Sequence, residues 1–388
     1  MTQEKMKLVL VGNGMAGVRT LEELLKIAPN AYDITVFGAE PHANYNRILL
    51  SPVLAGEKSI TDIMLNDVAW YESNGITLHL NKEIVKIDRI RRVVIAADGT
   101  EAEYDRLLLA TGSNPFMLPV PGVDLDGVIS FRDIQDVDAM IDASSKFKHA
   151  VVIGGGLLGL EAANGLSLRG MDVSVVHLND WLMERQLDQP AAQLLQKSLE
   201  EKGLKFLLKK HTEQIVGSAD GRVSAVRFKD GMVVAADLVV MAVGIRPNTR
   251  LAESAGIYCN RGIVVNDTMQ TYDPRIYAVG ECVSHRGTAY GLVAPLFEMA
   301  KVCATHLARF GIGRYAGSVT STKLKVTGID VFSAGDFYSG GDVDEIVFKD
   351  ASKGIYKKLV LHGNRVQAAV LYGDTVDGAW YFRLLREG

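Results

Sequence analysis

Two glycine-rich stretches in this chain have a spacing that implies chemistry. Gly12-Asn13-Gly14-Met15-Ala16-Gly17 and Gly154-Gly155-Gly156-Leu157-Leu158-Gly159 both place glycines at the first, third and sixth positions. That spacing serves the pyrophosphate of a dinucleotide. The first glycine allows a tight turn, the second lets backbone N–H groups approach the phosphates, and the third lets a helix pack closely on a strand. A helix that starts inside the motif turns its positive dipole end toward the anion. An acid about twenty residues on accepts the ribose hydroxyls, and Glu40 stands 23 residues after Gly17. In the second copy the equivalent strand ends on His177 instead. Asp180 is a nearby substitute for the missing acid, whereas Arg185 would suit a 2′-phosphate. His177 read simply as a polar strand-end residue needs neither. Two such sites imply two dinucleotides, an empty duplicate being the less economical alternative.

Each loop needs a buried strand before it and a helix after it. Residues 7–11 (KLVLV) form a short apolar run leading into the first loop. A helix is predicted over 18–27 from apolar Val18, Leu21, Leu24 and Leu25 and the Pro29 stop, followed by a strand at 34–37. The second loop repeats this with a strand at 149–153, a helix through Leu166 and a strand at 173–176. The duplication extends further. Residues 104–109 stop in Ala110-Thr111-Gly112-Ser113, and residues 235–243 stop in Gly244-Ile245-Arg246-Pro247-Asn248. Asp98-Gly99 and Asp230-Gly231, just upstream, read as hairpin turns. A third element, 271–281, is a short apolar strand that ends in Gly280 and Glu281. Glu281 is placed to accept from the ribityl hydroxyls of a flavin, a solvated loop acid being the alternative.

Composition narrows the rest. The 388 residues are 48% hydrophobic and 23% charged, which excludes disorder, collagen and coiled coil. A net charge of −4 argues against nucleic-acid binding through phosphates and against a polybasic membrane anchor. Cys259, Cys282 and Cys303 fit no disulfide framework, zinc ribbon or Cys-x-x-Cys pair. Cys282 reads as a buried, apolar-like thiol. The apolar run near the start is interrupted by Asn13 and ended by Arg19, so no membrane or targeting segment is expected, and the cytoplasm is the expected location.

The series GxGxxG, acid, Ala-Thr-Gly, GGGxxG, Gly-x-Arg-Pro-Asn and Tyr-Ala-Val-Gly-Glu resembles the two-dinucleotide flavoprotein reductases of the glutathione-reductase-like fold, over essentially the whole chain. Three further stretches, 45–51 (YNRILLS), 182–188 (LMERQLD) and 290–296 (YGLVAPL), are similar to the N-terminal reductase portion of the NAD(P)H nitrite reductase large subunit. The resemblance implies an α/β fold with two Rossmann-like domains, FAD- and NAD(P)-binding, one inserted in the other, plus a small α+β C-terminal domain. Residues 1–113 and 246–316 would form the FAD domain, 114–245 the NAD(P)H domain and 317–388 the C-terminal domain. Pro115, Pro119, Pro121 and Gly122 make the first crossing a stiff linker. Strand-like runs stand at 324–326, 357–361 and 367–372.

The resemblance further implies hydride transfer to FAD from NADH, with NADPH as the other candidate. Glu161, taken as lying on the first turn of its helix, would stand beside the nicotinamide, and Arg47 near the flavin. An acid favoured by the helix dipole and a surface ion pair are the plainer readings of these two. Related reductases often carry Lys directly after the Leu-Ser of the arginine motif. Here Pro52 does, which puts a Lys–Glu pair at the flavin in doubt. No Cys-x4-Cys follows the first loop, so electrons should leave from the flavin itself to an outside acceptor. Relatives continue into cysteine-rich iron–sulfur and siroheme segments that three scattered cysteines cannot supply. Expected partners are NAD(P)H and an iron–sulfur/siroheme domain or a small carrier of ferredoxin or rubredoxin type, with a homodimer left open. A non-catalytic flavin-binding redox sensor is the alternative from another class.

Overall fold

A computed structural model describes residues 5–309, 311–326, 328–338 and 342–387. The chain divides into two compact units, the first made of Met1–Ile48, Ile60–Asn114 and Ile245–Ser318, the second of Leu49–Ser59, Pro115–Gly244 and Val319–Gly388.

The first unit is built on a five-stranded parallel sheet ordered Ile276–Ala278, Arg106–Leu109, Met6–Val11, Tyr32–Phe37, Ile76–His79. Leu8, Val9, Leu10 and Val11 are all buried, as in a strand covered on both faces. The helix Met15–Ile27 buries Val18, Leu21 and Leu24 against this core. It begins three residues earlier than apolar periodicity predicts, because the last three residues of the glycine motif are themselves helical.

The second unit repeats the plan with strands ordered Val128–Ser130, Leu238–Met241, His149–Ile153, Asp172–Val176, Lys205–Leu207, all parallel. Four of the five positions correspond. The edge strand differs: in the first unit it is Ile276–Ala278, which leads into Gly280 and Glu281. Each unit also carries a three-stranded antiparallel meander, Ile84–Asp88, Val93–Ala96 and Glu101–Glu103 in one, Thr212–Gly217, Val223–Phe228 and Val233–Ala235 in the other. The expected Asp-Gly turns lie in these meanders, with Gly99 and Gly231 both at φ +86. Even an ion pair is duplicated, Lys82 with Asp98 and Lys210 with Asp230.

Residues 49–59, read from the sequence as part of the FAD domain, group with the second unit. The short helix Leu50–Leu54 buries Leu50, Val53 and Leu54. Gly165 of the helix Leu157–Leu168 faces Leu54 so closely that an added Cβ would lie 2.6 Å from its Cγ. Arg169 then donates from Nε to the Leu54 carbonyl at 2.5 Å and from a terminal nitrogen to the Val53 carbonyl at 3.2 Å. The proline-rich crossing runs along this unit as well, Ile215 N–H donating to the Pro121 carbonyl at 2.9 Å.

Residues 319–388 also belong to the second unit. They form an antiparallel sheet ordered Ser321–Val326, Ile329–Gly335, Arg365–Tyr372, Ile355–His362, Asp344–Asp350, covered by the helix Gly378–Glu387 through Tyr381, Phe382 and Leu385. The fold is thus α/β with two Rossmann-like sheets and a smaller C-terminal α+β element. Among the described residues no helix is long and apolar enough to cross a membrane.

Candidate functional site

The six motif glycines sort into two groups by what surrounds them. Gly12 and Gly154 adopt φ +107 and +124, and a Cβ on either would lie less than 3.0 Å from a backbone carbonyl, that of Ala110 or of Ala242. Gly17 would meet the Ala110 Cβ and the Gly12 carbonyl oxygen at 2.9 Å, and Gly159 the Gly154 carbonyl oxygen at less than 3.0 Å. These four are glycine because the protein packs against them. Gly14 and Gly156 differ: neither has any atom within 4 Å of a Cβ position, and both have extended backbone, φ −86 and −83. Nothing in the folded chain requires a glycine there, so each leaves open room for a ligand to approach the backbone.

Both open glycines are helix N-caps without a side-chain cap, and no acid stands in either first turn. The helical ladders begin with Val18 N–H on the Gly14 carbonyl (3.1 Å) and Leu160 N–H on the Gly156 carbonyl (3.0 Å). The N–H groups of Met15, Ala16 and Gly17, and of Leu157, Leu158 and Gly159, therefore precede the ladder and suit an anion. In the first loop Asn13 is fixed from outside: its Oδ1 accepts from the buried Tyr71 hydroxyl at 2.7 Å. Burial pushes the Tyr71 phenol up, so it stays a donor.

Around the first loop the predicted acids carry protein donors that the sequence did not assign. Glu40 pairs with Arg47 through one oxygen and accepts from the Tyr45 hydroxyl at 2.6 Å through the other. The Arg47 guanidinium lies over the Tyr45 ring, 5.0 Å from its centroid. Arg47, expected near the flavin, is thus brought to Glu40, the acid expected to meet a ribose. Glu281 Oε2 accepts from Ser113 Oγ at 2.6 Å. Gly280, at φ +92, sets its Cβ position 3.0 Å from the Ala16 Cβ, which puts the strand end beside the start of the helix. The Ala110-Thr111-Gly112 turn is tied to the later exit: Thr111 Oγ donates to the Asn248 carbonyl (2.7 Å) and Asn248 N–H to the Gly112 carbonyl (2.9 Å).

In the second unit Glu161 is the fifth residue of its helix, so it lies on the second turn rather than the first, and the dipole does not account for it. Its partner is Ser51, whose Oγ donates to Oε2 at 2.5 Å. The residue before Pro52 thus holds the acid in place of a lysine. Burial pushes the Glu161 carboxyl above the usual carboxylate range, while the Ser51 hydrogen bond opposes this. His177 is buried beneath Gly155, where a Cβ would meet its ring at 2.8 Å, so this unpredicted glycine is needed to seat the imidazole. Met183 N–H donates to the Gly155 carbonyl at 2.9 Å, which anchors the 182–188 stretch to the loop. Asp180 pairs with Lys209 at 2.7 Å, and Arg185 is exposed. Gly244 adopts φ +114, its carbonyl accepting from Phe116 N–H at 2.9 Å.

Tyr45, Ser51, Ser113 and Glu184 stand inside stretches the sequence singles out, whereas nothing in the sequence points to Tyr71. All three cysteines are free thiols. Burial raises Cys282 and Cys303, and raises Cys259 to about 11, so none is poised as a thiolate. No group of metal-binding side chains occurs among the described residues.

Two like-ordered parallel sheets, each with an open glycine at an uncapped helix start, define a protein built to bind two dinucleotides. The chain belongs to the pyridine nucleotide-disulphide oxidoreductase family, whose profile matches residues 6–303, and the rubredoxin NAD+ reductase C-terminal domain matches residues 321–388. It is 58% identical to a nitrite reductase [NAD(P)H] of Bacillus subtilis over 99% of this chain and 47% of that protein. It is 50% identical to the assimilatory nitrate reductase electron transfer subunit of the same organism, over 96% and 48%. The chain thus spans about half the length of these curated relatives. Among solved structures it is similar to the covalent putidaredoxin reductase–putidaredoxin complex, with a TM-score of 0.89 and 27% identity over 99% of this chain and 94% of that one.

Proposed function

We propose that this chain is an FAD-dependent NAD(P)H oxidoreductase that takes a hydride from NADH and passes electrons to a redox partner, as the reductase part of an assimilatory-type nitrite reductase. The observation that supports the reading best is the pair Gly14 and Gly156, whose open Cβ positions at two uncapped helix starts leave room for a ligand. Relatives named for nitrite reduction and for nitrate-reductase electron transfer support the context.

In this reading Gly12, Gly14 and the N–H groups of Met15, Ala16 and Gly17 hold the FAD pyrophosphate. Glu40, fixed by Arg47 and Tyr45, accepts the adenosine ribose hydroxyls, and Glu281, fixed by Ser113, accepts from the ribityl chain. Ala110, Thr111 and Gly112 close that end. Gly154, Gly156, Leu157, Leu158 and Gly159 hold the pyridine nucleotide, with Gly244 at the exit of that fold. Bound FAD accepts two electrons as a hydride and releases them one or two at a time. Glu161, its carboxyl pushed up by burial and oriented by Ser51, serves beside the nicotinamide as a polar anchor. NADH is favoured as donor because a carboxylate, Glu184, stands in the loop after His177 and is hydrogen-bonded to it.

The test is anaerobic mixing of the yellow protein with NADH or NADPH. Bleaching of the flavin band, faster with NADH, is expected; a band that neither donor bleaches would sink the reductase reading and leave the redox sensor. The rubredoxin-reductase match at 321–388 supports a second reading, a free-standing reductase for a small carrier. Reduced rubredoxin or ferredoxin accumulating under NADH turnover would favour it.

A further inference from the structure

The outermost strand of the C-terminal sheet, Asp344–Asp350, is bonded on one side only among the described residues, to Ile355–His362. Its free side therefore offers unpaired backbone N–H and C=O groups. Ile346, Val347 and Phe348 follow one another at its centre, and each is more than half exposed, at 54%, 52% and 55%. Successive residues point to opposite faces, so the strand is apolar and open on both. The opposite edge, Ser321–Val326, carries exposed Lys323 in mid-strand, the kind of charge that keeps sheet edges apart. Asp344–Asp350 instead keeps its charges, Asp344, Glu345, Lys349 and Asp350, at its two ends.

We propose that this strand pairs antiparallel with the same strand of a second copy of the chain, joining two five-stranded sheets into one across a two-fold axis. The inference is independent of the nucleotide reading. A two-fold perpendicular to the sheet keeps every residue on its own face, so the possible registers differ by steps of two residues. With Val347 on the axis, Ile346 stands opposite Phe348 of the second copy and Glu345 opposite Lys349, and each pair occurs twice. A shift by one step in either direction sets a charged residue, Glu345 or Lys349, opposite Val347. The strand is thus complementary to itself in charge as well as in apolarity, which selects a second copy as the occupant. Glu345 gives one oxygen to Lys358 at 2.6 Å and keeps the other for Lys349. The strand ends bring Asp344 opposite Asp350, the one unfavourable pair. Asp350 is drawn into the following turn, where Oδ1 accepts from Ser352 N–H at 3.0 Å, Ser352 Oγ at 2.6 Å and Lys353 N–H at 3.2 Å. Pairing consumes this edge in both copies, so assembly closes at a dimer.

The experiment is sedimentation velocity of the full chain as purified, over a concentration series. A seven-residue edge pairing lies at the small end of specific interfaces. A reversible monomer–dimer equilibrium with a dissociation constant of about 1–100 µM is therefore expected. Val347→Lys sets a charge against its own copy on the axis and should weaken the dimer at least about 100-fold. Lys349→Glu turns attractive pairs into repulsive ones and should weaken it about tenfold. Both positions are exposed, so the urea midpoint should stay at the wild-type value in both variants. A wild type that remains monomeric throughout the series overturns the proposal and leaves the edge to a different chain. A dimer that survives Val347→Lys, or a wild type that grows beyond two copies, overturns the edge pairing as well.

Discussion

Gly12 and Gly14 lie two residues apart in one turn, yet replacing them should have opposite consequences. A methyl on Gly12 meets the Ala110 carbonyl at less than 3.0 Å on a backbone at φ +107. Overpacking costs about 1–3 kcal/mol, and a left-handed conformation for an L-residue adds about 1–2 kcal/mol. The total, about 2–5 kcal/mol, is a large share of a typical domain stability of about 5–15 kcal/mol. Gly12→Ala should therefore lower the urea midpoint of the flavin-free protein markedly. Gly14 has φ −86 and no atom within 4 Å of a Cβ position. Gly14→Val should move the stability of the flavin-free protein by no more than about 1 kcal/mol, the scale of an N-cap change. On the proposed function its side chain would fall where the pyrophosphate approaches, so a clash of about 1–3 kcal/mol would weigh on the complex alone. FAD affinity should drop roughly 10- to 100-fold, read by flavin titration beside urea unfolding. Gly14→Val protein that purifies fully yellow, or that unfolds as early as Gly12→Ala, would refute the division of labour between these glycines.

Other consequences can be checked on the same protein. Glu161→Gln keeps an acceptor for Ser51 and should slow flavin reduction by NADH while leaving FAD bound; an unaltered stopped-flow rate would remove Glu161 from the reaction. Because burial raises the Glu161 carboxyl, the native state holds a proton that the unfolded chain releases. That contribution to stability is present below the ordinary glutamate range and is lost as pH rises through the raised value. The stability of Glu161→Gln relative to wild type should then improve from pH 4 to pH 7, and a difference independent of pH would contradict this. Glu281→Ala should weaken FAD retention, measured by dialysis, more than it weakens NADH affinity. Asp188 both caps the helix Gln189–Glu200 through Ala191 N–H and accepts from the buried Tyr356 hydroxyl at 2.6 Å. Asp188→Ala should cost about 2–3 kcal/mol in urea unfolding, the sum of a lost cap and a stranded hydroxyl.

What could be read from the chain and what could not divides along sequence distance. The glycine turns, the Asp-Gly hairpins and the strands around them answer to constraints within a few residues, so spacing alone places them, and twice over. The first helix starts at Met15, three residues before its apolar period does, because the motif's own small residues carry none. The acids were visible as acids, but their donors come from far along the chain. Ser51 reaches Glu161 across 110 residues, Ser113 reaches Glu281 across 168, and Tyr71 reaches Asn13 across 58. No periodicity encodes such pairs. The same limit explains His177: read alone it is a departure from the family pattern that weakens any prediction about the donor nucleotide. Folded, it is one half of a pair whose carboxylate lies seven residues on, and its ring sits where a side chain on Gly155 would collide with it. A substitution that removes the expected acid need not remove the charge. The chemistry to look for at such a position is the whole hydrogen-bonded group, because a histidine that accepts at Nδ1 is left to donate from Nε2 to whichever carboxylate the next loop supplies.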